Sequence, residues 1–175
     1  MKIKHLDILF EQGIGFNIEP AQPSFLFRWA YGDSIDDILS LEKLSIGTLL
    51  DINEKTIPSD LVCMISEDLG LHLYFESDKV YLYLKWSERI KEILQLFSQY
   101  NNINIPSSFE NEWNKACAMV KVSPDLCLID SIAQRFNLTY DQATKVPWPH
   151  VLVANNIDLR KSIFESMCSE KLKQK

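Results

Sequence analysis

Apolar residues along most of this chain recur at intervals of three and four, but from Leu71 to Leu84 the interval falls to two. The first spacing lines one face of a helix and the second lines one face of a strand, so this change of period constrains the fold more than any other feature. In Leu71-His72-Leu73-Tyr74-Phe75 and Val80-Tyr81-Leu82-Tyr83-Leu84, residues of one kind repeat at every second position. The polar quartet Glu76-Ser77-Asp78-Lys79 between them has the length of a hairpin loop. The pattern predicts a β-hairpin over about residues 71–84. One face carries Leu71, Leu73, Phe75, Val80, Leu82 and Leu84, and the other carries Tyr74, Tyr81 and Tyr83.

Elsewhere the helical period dominates. Ile3, Leu6, Leu9 and Phe10 predict a first helix, interrupted by Gly13 and Gly15. Phe16 to Pro23 holds two prolines and predicts an extended connection. Ser24 to Tyr31, with Phe25, Phe27, Trp29 and Tyr31 at alternate positions, predicts a further short strand. Ser34 is a suitable N-cap for a helix carrying Asp36 and Asp37 in its first turn and ending before Gly47. Pro58-Ser59-Asp60 starts another, with Leu61, Met64, Ile65 and Leu69 inward and Gly70 as its stop. Ile90, Ile93, Leu94 and Phe97 mark a helix from Ser87.

After a turn at residues 101–107, Ser107-x-x-Glu110 opens a helix lined by Phe109, Trp113, Cys117 and Val120. Ser123-Pro124-Asp125 opens the next, with Leu126, Ile129, Ile132, Ala133 and Phe136. Thr139-x-x-Gln142 is a further capping box. Pro147-Trp148-Pro149 predicts a rigid corner, and Asn156 or Asp158 caps a last helix with Leu159, Ile163, Phe164 and Met167 on one side. The fold class is therefore α+β, predominantly helical. It divides into a mixed α/β front part (1–101) and an all-helical back part (107–175), or closes into a single compact domain.

The balance of 18 basic and 24 acidic residues leaves a charge of −6, which opposes a phosphate-tracking surface and makes nucleic acid an unfavoured partner. The basic cluster Lys171, Lys173 and Lys175 suits the negative end of a last helix. Met1 to Phe10 lacks the apolar run of a signal peptide, and no stretch reaches the ~18 apolar residues of a membrane span. Cys63, Cys117, Cys127 and Cys168 form no close pair and are expected as small buried hydrophobes in a reducing compartment. With His5, His72 and His150 also scattered, no metal-ligand spacing and no cofactor motif arises.

No catalytic motif is present: there is no nucleophile elbow, zinc-protease helix or phosphate-binding loop. The acid pairs Asp36-Asp37 and Glu67-Asp68 sit at helix ends or exteriors, where capping and solvation explain them, although a small hydrolase could use such carboxylates with His72 or His150. The segment IAQRFNLTYDQATKV loosely has the form of a helix-turn-helix, with Gln142 and Lys145 on its second helix, and leaves a DNA-binding regulator as an alternative. The leading expectation is a non-enzymatic protein acting by protein–protein contacts. Its candidate interface residues are Trp148, Tyr74, Tyr81 and Tyr83, since rigid aromatics bury much area with few rotamers to freeze.

The segment SIAQRFNLTYDQATKVPWPHVLV, roughly residues 130–153, resembles the closing module of phage tail-assembly proteins encoded beside the tape-measure protein. There a helix ending in an aromatic precedes a short helix and a Pro/Trp corner. In size, acidity and lack of a catalytic motif the chain also resembles the baseplate hub distal subunit family of T-even-type contractile-tailed phages. That resemblance implies a late viral structural protein made in the cytoplasm of the infected bacterium. It would bind other tail or hub proteins, the tape-measure protein among them, and could end in the virion baseplate.

Overall fold

The computed structural model describes residues 2–14, 22–101 and 124–173, and these are mostly helical. In chain order the helices are α1 (Ile3–Glu11), α2 (Phe25–Tyr31), α3 (Ile35–Ser40), α4 (Ile46–Asp51), α5 (Pro58–Asp68), α6 (Glu76–Asn101), α7 (Pro124–Phe136), α8 (Tyr140–Thr144) and α9 (Trp148–Lys173). A single 3-10 turn, Gly32–Ser34, joins α2 to α3. The helix expected over residues 107–120 lies outside the described residues, as does most of the boundary at 101–107.

No strand occurs among the described residues, so the α+β assignment and its hairpin are corrected to an all-helical arrangement. Residues 71–75 form a connection without regular secondary structure, and the supposed hairpin loop Glu76–Lys79 is the first turn of α6. The packing shows why. Val80, Leu82, Tyr83, Trp86, Ile90, Ile93 and Phe97 are all buried. Leu82 and Tyr83 are neighbours in sequence, and a strand with one wet face buries only alternate residues. Steps of three and four along this set describe one helical stripe instead. The polar quartet fits either reading, because Glu76 and Asp78 are also favoured by the positive end of a helix.

The strand expected at Ser24–Tyr31 is likewise the helix α2. Ser24 accepts a hydrogen bond from Phe27 N–H at 3.1 Å, a side-chain N-cap that commits the segment to helix. Pro147 stands in the bridge to Ser45, and α9 begins at Trp148 with Pro149 in its first turn. A proline in the first helical turn gives up no intrahelical bond, so α9 runs without a break through Asn156 and Asp158, which were expected to cap it.

Other local signals are met as read. Pro58 opens α5, and Gly70, at φ +67°, ends it with Leu71 N–H on Ser66 O (2.8 Å) and Gly70 N–H on Glu67 O (3.2 Å). Asn137, at φ +52°, ends α7 by the same pair of bonds. The capping box of α8 is formed, with Gln142 N–H on Thr139 Oγ1 (3.3 Å) and Thr139 N–H on Gln142 Oε1 (2.9 Å).

Helix α6 is the axis of the core: α1, α3, α5 and α9 pack against it. α4 is held by α5, α8 and α9, and α7 packs on α8. The short segments at 44–46 and 146–148 meet as an isolated antiparallel bridge. There Ile46 N–H donates to Val146 O (2.9 Å) and Trp148 N–H to Leu44 O (3.0 Å). The end of α3 is secured by side chains from both long helices. Trp86 Nε1–H donates to Ile38 O (3.0 Å), Arg89 Nε–H to Ser40 O (3.1 Å) and Trp148 Nε1–H to Leu41 O (2.7 Å). These donors meet carbonyls that a helix C-terminus leaves without intrahelical partners. They also hold Leu41, fully buried, in the left-handed conformation (φ +58°) that branched residues avoid.

Candidate functional site

Of the four expected interface residues, two belong to the interior. Trp148 is 5% exposed, with its indole edge-on to Phe97 at 6.3 Å between ring centroids. Tyr83 is buried in the core, and that burial, followed by the nearby Asp7 charge, raises its pKa. Tyr81 is half-buried and meets Phe27 edge-on at 6.5 Å. Tyr74 alone among the four faces solvent, at 80% exposure. Without a hairpin there is no common tyrosine face: Tyr81 and Tyr83 ride on α6, while Tyr74 lies in the connection before it.

The structure instead exposes aromatics on α2. Phe25 and Trp29 are 79% and 78% exposed, and Leu26 is about half exposed beside them. Residues four apart share a helix face, so Phe25 and Trp29 point one way while Phe27 and Tyr31 point the other, into the body. Phe27 is buried, and its ring lies 5.1 Å from that of Tyr31.

This outward face is firmly seated. Asp78, only 2% exposed, accepts from Ser24 N–H at 2.6 Å and from Ser24 Oγ–H at 2.8 Å. At the other end of α2, Tyr31 Oη accepts His72 N–H at 3.0 Å. The two latches bracket the 71–78 stretch, which carries the exposed Tyr74 and the partly exposed Phe75. The charged residue on α2 is Arg28, bonded to Gln22 Oε1 at 2.7 Å, and the helix carries no carboxylate. A rigid, uncharged aromatic face of this kind can bury area on a protein partner with little ordering cost.

The residues weighed for chemistry are engaged in structure or lie apart. Asp36 and Asp37 occupy the first turn of α3, and Asp37 pairs with Lys43 at 3.0 Å. Asp68 accepts Ser45 N–H at 2.7 Å, and Glu67 accepts the Cys63 thiol at 3.2 Å, which raises that thiol's pKa. His72 and His150 are exposed on different elements. Cys63 and Cys127 are free and exposed, correcting the expectation that the cysteines are buried; the side chains of the other two lie outside the described set. No group of three metal-ligating side chains, and no helix long and apolar enough to cross a membrane, occurs among the described residues.

In the segment read as a helix-turn-helix, the second helix, α8, has five residues, and the Gln142 carbonyl is taken up by its own cap. Tyr140 Oη–H donates to Asp130 at 3.0 Å, raising the tyrosine's pKa. α8 is pressed against α4 at Gly47.

The α2 face was missed in sequence because alternation and helical spacing coincide for Phe25, Phe27, Trp29 and Tyr31. The available signal was Ser24, a good N-cap three residues before Phe27. No protein-family model, curated protein or solved structure matches this chain.

Proposed function

We propose that this chain is a non-catalytic assembly protein that acts by protein–protein contact through the outward face of α2, in the building of a phage tail or baseplate hub. The observation that carries the contact role is the pair Phe25 and Trp29, nearly fully exposed on a helix latched at both ends. Isolated surface apolar residues are ordinary, but adjacent large aromatics on a rigid element are what contact surfaces concentrate. The phage setting rests on the resemblance of residues 130–153, and with it go the expected partners, hub or tape-measure proteins, and a place in the infected cytoplasm or the finished tail.

The test is co-expression with the products of the neighbouring genes, followed by affinity capture on the tagged chain. A tail or hub product should co-purify with the wild type and be lost from Trp29→Ser. A neighbourhood of metabolic or regulatory genes would overturn the phage setting. Capture unaffected by substitutions at both Phe25 and Trp29 would overturn the role of α2.

A further inference from the structure

We propose that the outward face of α2 is a self-association surface, and that its occupant is a second copy of this chain related by a twofold axis. The proposal rests on the reading of that face as a contact surface and names its partner. Three observations support it.

The first is self-complementarity. Phe25 and Trp29 are one helical turn apart on a face that points away from the body. A twofold axis normal to α2, midway between them, lays Phe25 against the partner's Trp29 and Trp29 against the partner's Phe25. Each contact is then an aromatic pair formed twice, as an isologous interface requires.

The second is area. A fully buried aromatic side chain accounts for about 150–250 Å². Scaled by exposures of 79% and 78%, Phe25 and Trp29 offer roughly 350 Å². Leu26, at 48% exposure, raises this to roughly 400 Å² per copy. A standard stable interface buries about 800 Å² per partner, so this cluster supplies about half of it and the polar rim around it supplies the rest.

The third is charge. Each copy carries −6, which opposes bringing two copies together in general. α2 holds no carboxylate, and its charged side chain, Arg28, is held at the side by Gln22. Like charges therefore do not meet across this face, as they would where acids crowd, for example at Asp33, Asp36 and Asp37.

The experiment is sedimentation of the full chain over a concentration series from about 1 to 200 μM, for wild type and for Phe25→Ser/Trp29→Ser. The wild type should approach a dimer. The double variant should need at least roughly 100-fold higher concentration, because each anchor is lost twice in a twofold interface. Both side chains are exposed, so the variant should melt with the wild type, which separates lost association from lost folding.

A photo-crosslinking residue placed at position 25 should join the wild-type background to the partner's segment 25–29. A wild type that stays monomeric throughout overturns the dimer. If capture of a tail product by that monomer is still lost on Trp29→Ser, the contact reading survives and the occupant is a different protein. A dimer unaffected by the double variant overturns the dimer through α2.

Discussion

Trp148 offers the sharpest test of the packing, because its burial makes it a structural residue and exposure would have made it a contact. Its Nε1–H donates to Leu41 O at 2.7 Å, and its ring packs edge-on against Phe97. Trp148→Phe keeps an aromatic ring but removes the donor. Leu41 O retains Leu44 N–H at 3.1 Å, so the loss is that of one buried hydrogen bond, about 1 kcal/mol, rather than a fully orphaned carbonyl. Replacing indole by phenyl also leaves a small void, worth about 1–2 kcal/mol. The sum, about 2–3 kcal/mol, corresponds to a fall in Tm of about 4–12 °C for a chain of this size. Trp148→Ala should cost about 4–6 kcal/mol, a large part of a typical domain's total stability. Thermal melting followed by circular dichroism, with urea unfolding to confirm an unchanged slope, measures both. A Trp148→Phe protein melting within about 1 °C of wild type would refute the burial argument, since exposed substitutions shift stability by only about 0.5 kcal/mol.

Three further outcomes are expected. Asp78→Asn keeps the size of the side chain but replaces one of the two oxygens that accept from Ser24 with an NH2 donor; losing one or both charge-assisted bonds should cost about 2–4 kcal/mol and speed proteolysis at Arg28. Gly47→Ala would place a methyl 3.0 Å from both Cβ and O of Thr144, so α4 and α8 must part; the expected cost is about 1–3 kcal/mol, less up to ~1 kcal/mol of helix propensity, measured by urea unfolding. Glu76 has its pKa lowered by the Lys79 hydrogen bond and by Ile3 N–H, against partial desolvation. Because the folded value is the lower one, its contribution is present above the unfolded pKa near ~4.3 and disappears as pH falls through the folded value. Wild type should therefore exceed Glu76→Gln in stability at neutral pH and converge with it in acid. A gap that persists below the folded pKa would point to a cause other than ionisation.

Local sequence rules located features decided by a few neighbouring atoms. Pro58, Gly70 and the Thr139–Gln142 box all act through their own backbone and were legible without any tertiary knowledge. The misreadings share one physical origin. In Phe25–Tyr31 and Val80–Leu84 nearly every position is apolar or aromatic, so periods of 2 and 3.6 both find matches and periodicity loses its power to discriminate. The same ambiguity hid the candidate site: as a strand, Phe25 and Phe27 share a face, whereas as a helix they are divided between solvent and core.

What the sequence by itself determined is the set of stops, caps and composition limits: a helix-rich chain of acidic charge without a catalytic motif. Which aromatics face outward was decided only by the tertiary structure. Trp86 and Trp148 each turn an indole N–H to a carbonyl at the end of α3, contacts spanning 48 and 107 residues, and so become core. Phe25 and Trp29 lie on the far side of a helix whose other face is claimed by Tyr81 and Asp78, and so are left to solvent. The reason is that a side chain's burial is set by which distant donors, acceptors and rings compete for the same interior, a quantity that no local window of sequence contains.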